Sequence, residues 1–422
     1  MLNDIDQKTF IEASINLNIL LIAKAGSGKT KSVVRKIKHH IQRKELTINT
    51  FRCLSYTNVA VDQLIEDGEG VLSKLNVSTI HKLAYNIIKT RLNRKEIKPL
   101  ECIQEFIRLM TDPVEIENLR GKMQDFLPLK VIFVDEAQDT NKLKYEFLES
   151  LLVNFCPGCH LVLVGDPAQK IQDIPIPSFK KNCKGDENWN IFKVFKHKFR
   201  ATLMHLRTNY RSTKSIIQAA NGLMNFQFPH EQPMIPAVDA KEGECPTIFL
   251  GSSLEGELTN MVKWLYSDNS KRLDGTVLIL CSRKEDIKQV VEILVKTNLV
   301  FDYKIKDDDE DLEIKKKTTK RKLIEQPKIP AKIHVRTIHG VKGQTCDTTV
   351  MIGFRRFLWN MEKMCQGSPS ATEEWKTFFT FLINVAATRA KSYLAFIHYG
   401  PKSDIWWAYD NLCKNFYVNP YN

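Results

Sequence analysis

The residues that could do chemistry begin with a short glycine-rich run: Ala25, Gly26, Ser27, Gly28, Lys29 and Thr30. The two glycines let the backbone bend so that several amide N–H groups can converge on phosphate oxygens. The Lys29 ammonium can reach the β- and γ-phosphates of a nucleotide, and the Thr30 hydroxyl can take a position on Mg²⁺. An apolar run precedes these residues and a helical pattern follows them, so they predict a nucleotide-binding loop.

Two adjacent acids, Asp135 and Glu136, follow the apolar sequence LKVIFV. A carboxylate at the end of such a strand can hold a Mg²⁺-bound water, and a second one beside it can act as general base toward the attacking water. Because burying unpaired charge is costly, this pair indicates nucleotide hydrolysis. The sequence LVLVGDPAQ ends in a similar way, and its Gln169 can hydrogen-bond a γ-phosphate.

Other candidate contacts come from Gln7 and from the sequence SYTN at residues 55–58. The Gln7 amide is both a donor and an acceptor, so it can read an adenine edge. Tyr56 can stack on a base, while Thr57 and Asn58 can bond a backbone phosphate. The alternative for Tyr56 is a core position without contact to a ligand.

Apart from Gln7, which precedes the first predicted strand, these groups share one position relative to the predicted elements, because each follows a short apolar run. Residues 19–22 are unbroken apolar sequence, as expected of a strand buried in a parallel sheet, and residues 32–41 have a helical pattern. A short strand also precedes Thr79 and His81. Since α/β sheets bind ligands at the carboxyl ends of their strands, the sequence predicts an α/β fold with its site at that edge.

The length and net charge of the chain are consistent with a nucleotide-binding α/β protein. A chain of 422 residues suggests two to three domains, and 62 Lys+Arg against 49 Asp+Glu give a net charge of +13. Such an excess favours a polyanionic partner such as nucleic acid, although a generally lysine-rich proteome would give the same number. The sequence shows neither a signal pattern nor a membrane-length apolar run. We therefore expect a cytoplasmic protein, or a nuclear or viral-factory one, that is not secreted and has no membrane partner.

One cysteine cluster, Cys156-Pro-Gly-Cys159-His160, has the spacing of a haem attachment site and half that of a zinc knuckle. No second cysteine pair lies close by in the sequence, and His160 leads directly into an apolar run. We therefore predict a turn before a strand at this cluster, and no metal site.

The order of motifs along the chain resembles that of the UvrD/Rep/PcrA branch of superfamily 1 helicases. The matching segments include AKAGSGKT, SYTN, STIH, VDEAQ, GDPAQ, HLRTNYRST (205–213), TIHGVKGQTCD (337–347) and NVAATRAK (384–391). The resemblance implies two RecA-like P-loop domains with parallel sheets, at 1–204 and 205–422, and an ATP cleft between them. It also implies ATP and Mg²⁺ as cofactors, single-stranded DNA as partner, and DNA-stimulated ATP hydrolysis that drives 3′→5′ movement.

The resemblance also assigns roles to individual residues. Gln7 would read adenine, Tyr210 would stack on it, and Gly343 would belong to the nucleotide site. Thr30 and Asp135 would hold Mg²⁺. Catalysis would use Lys29, Asp135, Glu136, Gln169, Arg211 and Arg389. Nucleic acid would contact Tyr56, Thr57, Asn58, Thr79, His81, Thr337 and His339.

The chain departs from the family pattern at three places. Gln344-Thr345 stand where the family has a ribose-contacting glutamate, and no aromatic residue follows Gln169 until Phe179. The family's two large inserted subdomains are reduced to a vestigial insertion at about 88–128 and a charged loop at about 304–332. Without those insertions, duplex unwinding could depend on a partner protein.

Two other functions stay open. The chain could be an ATP-switched nucleic-acid-binding subunit of a nuclease-containing repair or antiviral-defence complex, or it could act on RNA, because phosphate contacts distinguish sugars poorly. The basic segment 179–200 is equally compatible with a solvated face and with contact to phosphates. An inactive relative is disfavoured, because the six residues expected to be catalytic are all retained.

Overall fold

The computed structural model describes most of the chain, which divides into two compact units; the first ends at Tyr210 and the second continues from Arg211. The described residues are 4–68, 70–92, 97–98, 101–126, 128–171, 190–251, 253–282, 284–297, 301–303, 333–341, 343–352, 369–399 and 417–419. The expected charged loop at 304–332, Lys342, and the part of the basic segment before residue 190 lie outside these ranges.

The first unit is built on a six-stranded, wholly parallel sheet with the order β3-β2-β4-β5-β1-β6. Its strands are β1 Ile19–Ala23, β2 Phe51–Ser55, β3 Val77–Thr79, β4 Val131–Val134, β5 His160–Gly165 and β6 Thr202–Leu206. Its helices are α1 Ile5–Glu12, α2 Lys29–Gln42, α3 Asn58–Gly68, α4 Ile80–Asn86, α5 Cys102–Leu109, α6 Pro113–Lys122, α7 Lys142–Phe155 and α8 Ile191–Lys198. The short strand β7, Thr208–Asn209, follows β6.

The sheet is covered on both faces, which explains why its central strands are apolar throughout. In β4, Phe133 packs into a cluster with Phe10 and Ile37, whereas its neighbour Ile132 packs into a cluster with Phe106 on the other side. This alternation follows from the two-residue period of a strand. Burial on both faces excludes polar residues from β4 until the strand ends at Val134, immediately before Asp135.

The segment expected to be a vestigial insertion forms helices that belong to this core. After α4 the chain makes a π-helical turn at Ile87–Arg91 and later forms α5 and α6. Phe106 of α5 is fully buried and packs edge to face against Phe147 of α7. Leu119 of α6 joins the same cluster. The described part of this segment therefore covers one face of the sheet.

The second unit contains a sheet of seven described strands, all parallel, in the order β11-β12-β10-β13-β14-β9-β15. The described elements of this unit, in chain order, are α9 Lys214–Gln227, β8 Ile235–Pro236, β9 Thr247–Gly251, α10 Leu254–Tyr266, β10 Val277–Cys281, α11 Lys284–Leu294, β11 Phe301–Tyr303, β12 Ile333–Thr337, β13 Cys346–Ile352, α12 Pro369–Ala387, β14 Ala390–Tyr399 and β15 Tyr417–Asn419. Two parallel α/β sheets in one chain confirm the predicted fold class.

Two details differ from the sequence-based expectation. The boundary expected after residue 204 falls inside β6, because residues 202–206 pair along the whole length of β1 and so belong to the first sheet. The sequence also gave no indication of β15, which pairs with β9 at an edge of the second sheet. A strand this short carries little periodic signal of its own.

The predicted turn at Cys156-Pro-Gly-Cys159 lies between α7 and β5. The Cys159 N–H donates to the Cys156 carbonyl over 3.1 Å, and Gly158 has φ +78°. Among the described residues, no group of three or more His, Cys, Asp or Glu side chains could hold a metal ion. None of the described helices has both the length and the apolar character that crossing a bilayer demands.

Candidate nucleotide site

The glycine-rich loop lies between the end of β1 and the start of α2. Gly26 and Gly28 have φ of +70° and +71°, which L side chains rarely adopt, so glycine is required at both positions. Gly28 is the N-cap of α2, and the helix therefore starts at Lys29, three residues earlier than its apolar pattern indicates. The amide groups at this helix N-terminus point toward the loop, where they favour an anion.

The chain between β6 and the end of the first unit holds this loop in place. Asn209 Nδ2 donates to the Ala25 carbonyl over 2.9 Å, and the Tyr210 N–H donates to the Gly26 carbonyl over 2.9 Å. The Asn209 side chain packs so closely that a Cβ at position 26 would lie 2.7 Å from its Nδ2. The role of Asn209 was not predicted from the sequence, because no local pattern indicates a contact between residues so distant in the chain.

Lys29 faces the two acids that follow β4. Its Nζ lies 2.7 Å from Glu136 Oε1 and 3.9 Å from Asp135 Oδ1. Burial alone would lower the pKa of Lys29, but the charges of Glu136 and Asp135 outweigh it and raise this pKa. Burial raises the pKa of Asp135 to about 6, against the opposing effect of Lys29. The predicted lysine and both predicted carboxylates therefore form one cluster.

The same cluster has the donor set that a nucleotide with Mg²⁺ requires. Thr30 Oγ1 lies 3.4 Å from Asp135 Oδ2, so two hard oxygen ligands converge at this point. The Ser27 hydroxyl is buried in the loop and has no hydrogen-bond partner among the described residues. A phosphate oxygen would satisfy that donor. The residues present therefore fit both the triphosphate and the metal.

A chain of side chains connects Glu136 to Gln169 at the end of β5. Gln138 Nε2 donates to Glu136 Oε2, and Gln138 Oε1 accepts from the Asp166 N–H over 3.1 Å. Gln169 Nε2 in turn donates to Asp166 Oδ2 over 2.9 Å. Gln138 was not among the predicted site residues, although its position two residues after Glu136 in a short helical turn places it beside the cluster.

A second group of side chains surrounds Gln7 on α1. Gln7 Nε2 donates to the Ser27 carbonyl over 3.0 Å, and Arg35 Nη1 donates to Gln7 Oε1 over 3.1 Å. The Tyr210 hydroxyl, 2.5 Å from Asp4 Oδ2, completes the group. Asp4 also caps α1 by accepting the Gln7 N–H. The structure thus brings Gln7 and Tyr210 to one place and adds Asp4 and Arg35, to which the sequence reading gave no role.

The Tyr210 side chain is half exposed, so part of it is accessible to solvent. Burial and the bond to Asp4 raise the pKa of the Tyr210 phenol, whereas the positive charge of Arg35 opposes this shift. The phenol is therefore neutral at physiological pH and donates a hydrogen bond to the Asp4 carboxylate.

The predicted nucleic-acid contacts of the first unit follow β2 and β3, which are neighbours in the sheet. Tyr56 is half-buried, and the Lys144 ammonium lies 3.9 Å from the centre of its ring. The hydroxyls of Thr57 and Thr79 accept the backbone N–H groups of Ala60 and Lys82. These two threonines shape the first turns of α3 and α4, while Asn58 is exposed and His81 half-buried.

The predicted residues of the second unit fall into two groups at opposite edges of its sheet. Arg211 Nη1 donates to the Thr388 carbonyl over 2.7 Å, and Arg389 Nη1 donates to the Gln344 carbonyl over 3.2 Å, so both arginines lie near the start of β14. Gly343, with φ +86°, comes before β13 at the same edge. Thr337 and His339 follow the carboxyl end of β12.

Two parallel α/β units, the first with a phosphate loop facing strand-end carboxylates, define a P-loop protein with two RecA-like domains. A family model described as an AAA domain matches residues 7–175, and one described as a UvrD-like helicase C-terminal domain matches residues 204–310. Both halves of the chain are thus similar to the UvrD/Rep/PcrA-like helicases.

Individual relatives agree with this assignment. The chain is 26% identical over 384 residues to "Putative ATP-dependent DNA helicase R568" of Acanthamoeba polyphaga mimivirus, an alignment that covers 88% of this chain and 50% of the relative. It is 22% identical to the ATP-dependent DNA helicase PcrA of Bacillus subtilis, with 67% of this chain and 48% of PcrA covered. It is 23% identical to the ATP-dependent DNA helicase Rep of Buchnera aphidicola, with 63% and 52% covered. The chain thus spans about half the length of these curated relatives.

Proposed function

We propose that this chain is a nucleic-acid-stimulated ATPase that moves along single-stranded DNA, as a compact motor of the UvrD type. The observation that carries this proposal is one cluster of side chains. In it, Lys29 and Thr30 at the start of α2 face Asp135 and Glu136, which follow β4. Loop, metal ligand and base candidate are within a few ångströms of one another, which hydrolysis of a triphosphate requires.

In this proposal each residue of the cluster has a distinct task. The loop amides and Lys29 would bind the phosphates, and Thr30 with Asp135 would hold Mg²⁺, which neutralises charge on the phosphoryl group when bound. Glu136 accepts the proton of the attacking water. Because Lys29 is paired with Glu136, a γ-phosphate that takes over the ammonium would release this carboxylate to act as a base. Gln169 hydrogen-bonds the γ-phosphate.

The remaining roles extend the site beyond the cluster. Gln7 reads adenine and Tyr210 stacks on it. We infer that Arg211 and Arg389 of the second unit act on the γ-phosphate. Guanidinium groups suit this task because they stay charged and bond two oxygens at once. Gly343 belongs to the same site.

The nucleic-acid partner follows from the strand ends and from charge. We infer that single-stranded DNA contacts Tyr56, Thr57, Asn58, Thr79, His81, Thr337 and His339. The net charge of +13 favours a polyanion, and the names of the relatives specify DNA. Movement in the 3′→5′ direction is part of the proposal.

The test is the rate of ATP hydrolysis by the purified chain, measured with and without single-stranded DNA, single-stranded RNA and duplex. The proposal expects Mg²⁺-dependent hydrolysis that single-stranded DNA stimulates at least tenfold. Stimulation should grow with strand length, because a translocase hydrolyses ATP throughout its movement. Absence of hydrolysis under all these conditions would refute the proposal.

A second candidate is an ATP-switched binding subunit of a nuclease-containing repair or antiviral-defence complex. The observation that favours it is the short connection between α4 and β4, whose described helices α5 and α6 pack on the core of the first unit. Hydrolysis independent of strand length, together with stable co-purification of a protein partner, would support this candidate. Stimulation by RNA alone would instead identify an RNA-directed enzyme.

A further inference from the structure

The side chain of Gln7 is held at both ends of its amide. Nε2 donates to the Ser27 carbonyl over 3.0 Å, and Oε1 accepts from Arg35 Nη1 over 3.1 Å. Rotating the amide by half a turn would set an oxygen against the Ser27 carbonyl and an N–H against the guanidinium. Both contacts would then be repulsive, so the network fixes which end of the amide is the donor.

Each end of the fixed amide can still form one more hydrogen bond. Nε2 has a second N–H, and Oε1 has a second lone pair. Adenine presents an acceptor, N7, beside a donor, the N6 amino group, whereas guanine presents two acceptors, N7 and O6. The donor and the acceptor of the Gln7 amide therefore match adenine. With guanine, the Gln7 oxygen would face O6, so that two acceptors would oppose each other.

Gln7 is held close to the other residue expected to contact the base. Asp4 accepts the Gln7 N–H with one carboxylate oxygen and the Tyr210 hydroxyl with the other. The charge of Arg35 also acts on the Tyr210 phenol, which shows that these side chains share one neighbourhood. Arg35 lies on α2 and is exposed to solvent. Burial of the guanidinium therefore does not force it to bond Gln7.

We propose that Arg35 is a positioning residue that sets the preference of this site for adenine, by fixing the Gln7 amide as acceptor on its side. The proposal rests on the proposed binding of ATP. In the absence of the guanidinium only the Ser27 carbonyl orients the amide, and the rotated form that accommodates guanine becomes accessible. A charge-assisted bond of this kind is worth about a tenfold change in equilibrium.

The experiment is equilibrium binding of the β,γ-imido analogues of ATP and GTP to the full chain and to Arg35→Met. We expect the chain to prefer the adenine analogue and Arg35→Met to lose about tenfold of that preference. Inorganic tripolyphosphate, which lacks a base, should bind both proteins equally. Arg35→Lys, which keeps a positively charged hydrogen-bond donor group, should recover part of the preference. Lys38→Met removes a positive charge from the same helix, where Lys38 makes no hydrogen bond or ion pair to a described residue, and it is the matched control.

The outcomes separate this inference from the proposed function. If neither analogue nor tripolyphosphate binds the unmodified chain, the proposed ATPase function fails. If the chain binds both analogues equally, or if Arg35→Met keeps the full preference, the role of Arg35 is refuted while ATP binding stands. A parallel loss of tripolyphosphate binding in Arg35→Met would show that Arg35 supports the phosphate loop, and this too would overturn the inference.

Discussion

Glu136 combines two properties that are unusual for a glutamate. Its backbone φ is +53°, a left-handed conformation that is unfavourable for a glutamate, and its carboxylate is ion-paired with Lys29. Strain of this kind persists where the surrounding structure enforces it, and it is common at functional sites. The hydrogen bond from the Glu136 N–H to Asp135 Oδ1, 2.9 Å long, helps to hold this conformation.

We predict that Glu136→Gln slows ATP hydrolysis at least about 100-fold, because an amide cannot accept the proton of the attacking water. Nucleotide binding should be retained or become tighter, since the substitution removes a negative charge near the phosphates and frees Lys29. Single-turnover hydrolysis and equilibrium binding measure the two effects separately. Glu66→Gln, an exposed acid on α3, is the control, and normal hydrolysis by Glu136→Gln would show that the base is another group.

Lys36 of α2 is a buried cation that ties two helices together. Its Nζ donates to the Phe10 carbonyl over 3.0 Å and to the Ala13 carbonyl, at the end of α1. Burial lowers the pKa of Lys36 from its ordinary value of 10.5 to about 8, although the Glu45 carboxylate opposes this shift. The folded protein therefore releases this proton at a lower pH than the unfolded chain does.

The resulting pH dependence has a definite sign. Below pH 8 both states hold the proton, whereas between about pH 8 and 10.5 the unfolded state binds more protons, so the free energy of unfolding rises with pH. We predict that the stability of the unmodified chain increases relative to Lys36→Met across this window, by at most about 1.4 kcal/mol per pH unit. Urea denaturation of both proteins, followed by circular dichroism at several pH values, measures the difference. A constant difference would contradict the prediction.

At the scale of elements, the unit β1–loop–α2 depends on a close contact with the chain after β6. A Cβ at Gly26 would require both a left-handed φ and a shift of the Asn209 side chain. We predict that Gly26→Ala weakens nucleotide binding at least about tenfold, because the loop carbonyls bonded to Asn209 and Tyr210 would move. Equilibrium binding of ATP measures this loss.

Gly158 is a matched control for that substitution. It also has a positive φ, +78°, but a Cβ there would meet nothing within 4 Å. Both Gly→Ala variants should lose about 1–2 kcal/mol of stability from the left-handed backbone, whereas only Gly26→Ala should lose nucleotide binding. Equal loss of binding in both variants would mean that backbone strain, and not the contact with Asn209, determines the effect.

The elements differ in how well the sequence predicts them. Strand, loop and helix around Lys29 were predictable, because an apolar run, two glycines and a helical pattern are local signals. The strand ends carrying Asp135 and Gln169 were predictable for the same reason. The neighbours Asn209, Arg35 and Asp4 were not, since their positions depend on the order of strands in the sheet and on contacts between distant segments. The assignment of β6 to the first sheet depends on the same long-range pairing.

At the scale of the whole molecule, the proposed ATPase needs both units of the chain. The phosphate loop, the carboxylates and Gln7 lie in the first unit, whereas Arg211 and Arg389 belong to the second. The two arginines share the start of β14, where Arg211 bonds the carbonyl that precedes Arg389. Arg389 is almost fully buried, so its replacement would disturb the fold, and Arg211 is the better residue for a test.

We predict that Arg211→Met reduces the DNA-stimulated rate of hydrolysis at least about 100-fold, with a change in nucleotide affinity below about tenfold. The reason is that the first unit supplies the loop that binds ATP, while the guanidinium acts on charge that develops in the transition state. Stopped-flow hydrolysis and equilibrium binding separate the two quantities. Lys296→Met is the control in the second unit, because Lys296 forms an exposed pair with Glu255, which contributes little. If hydrolysis by Arg211→Met is unchanged and still responds to DNA, the arginine does not reach the nucleotide, and the first unit must hydrolyse ATP with its own residues.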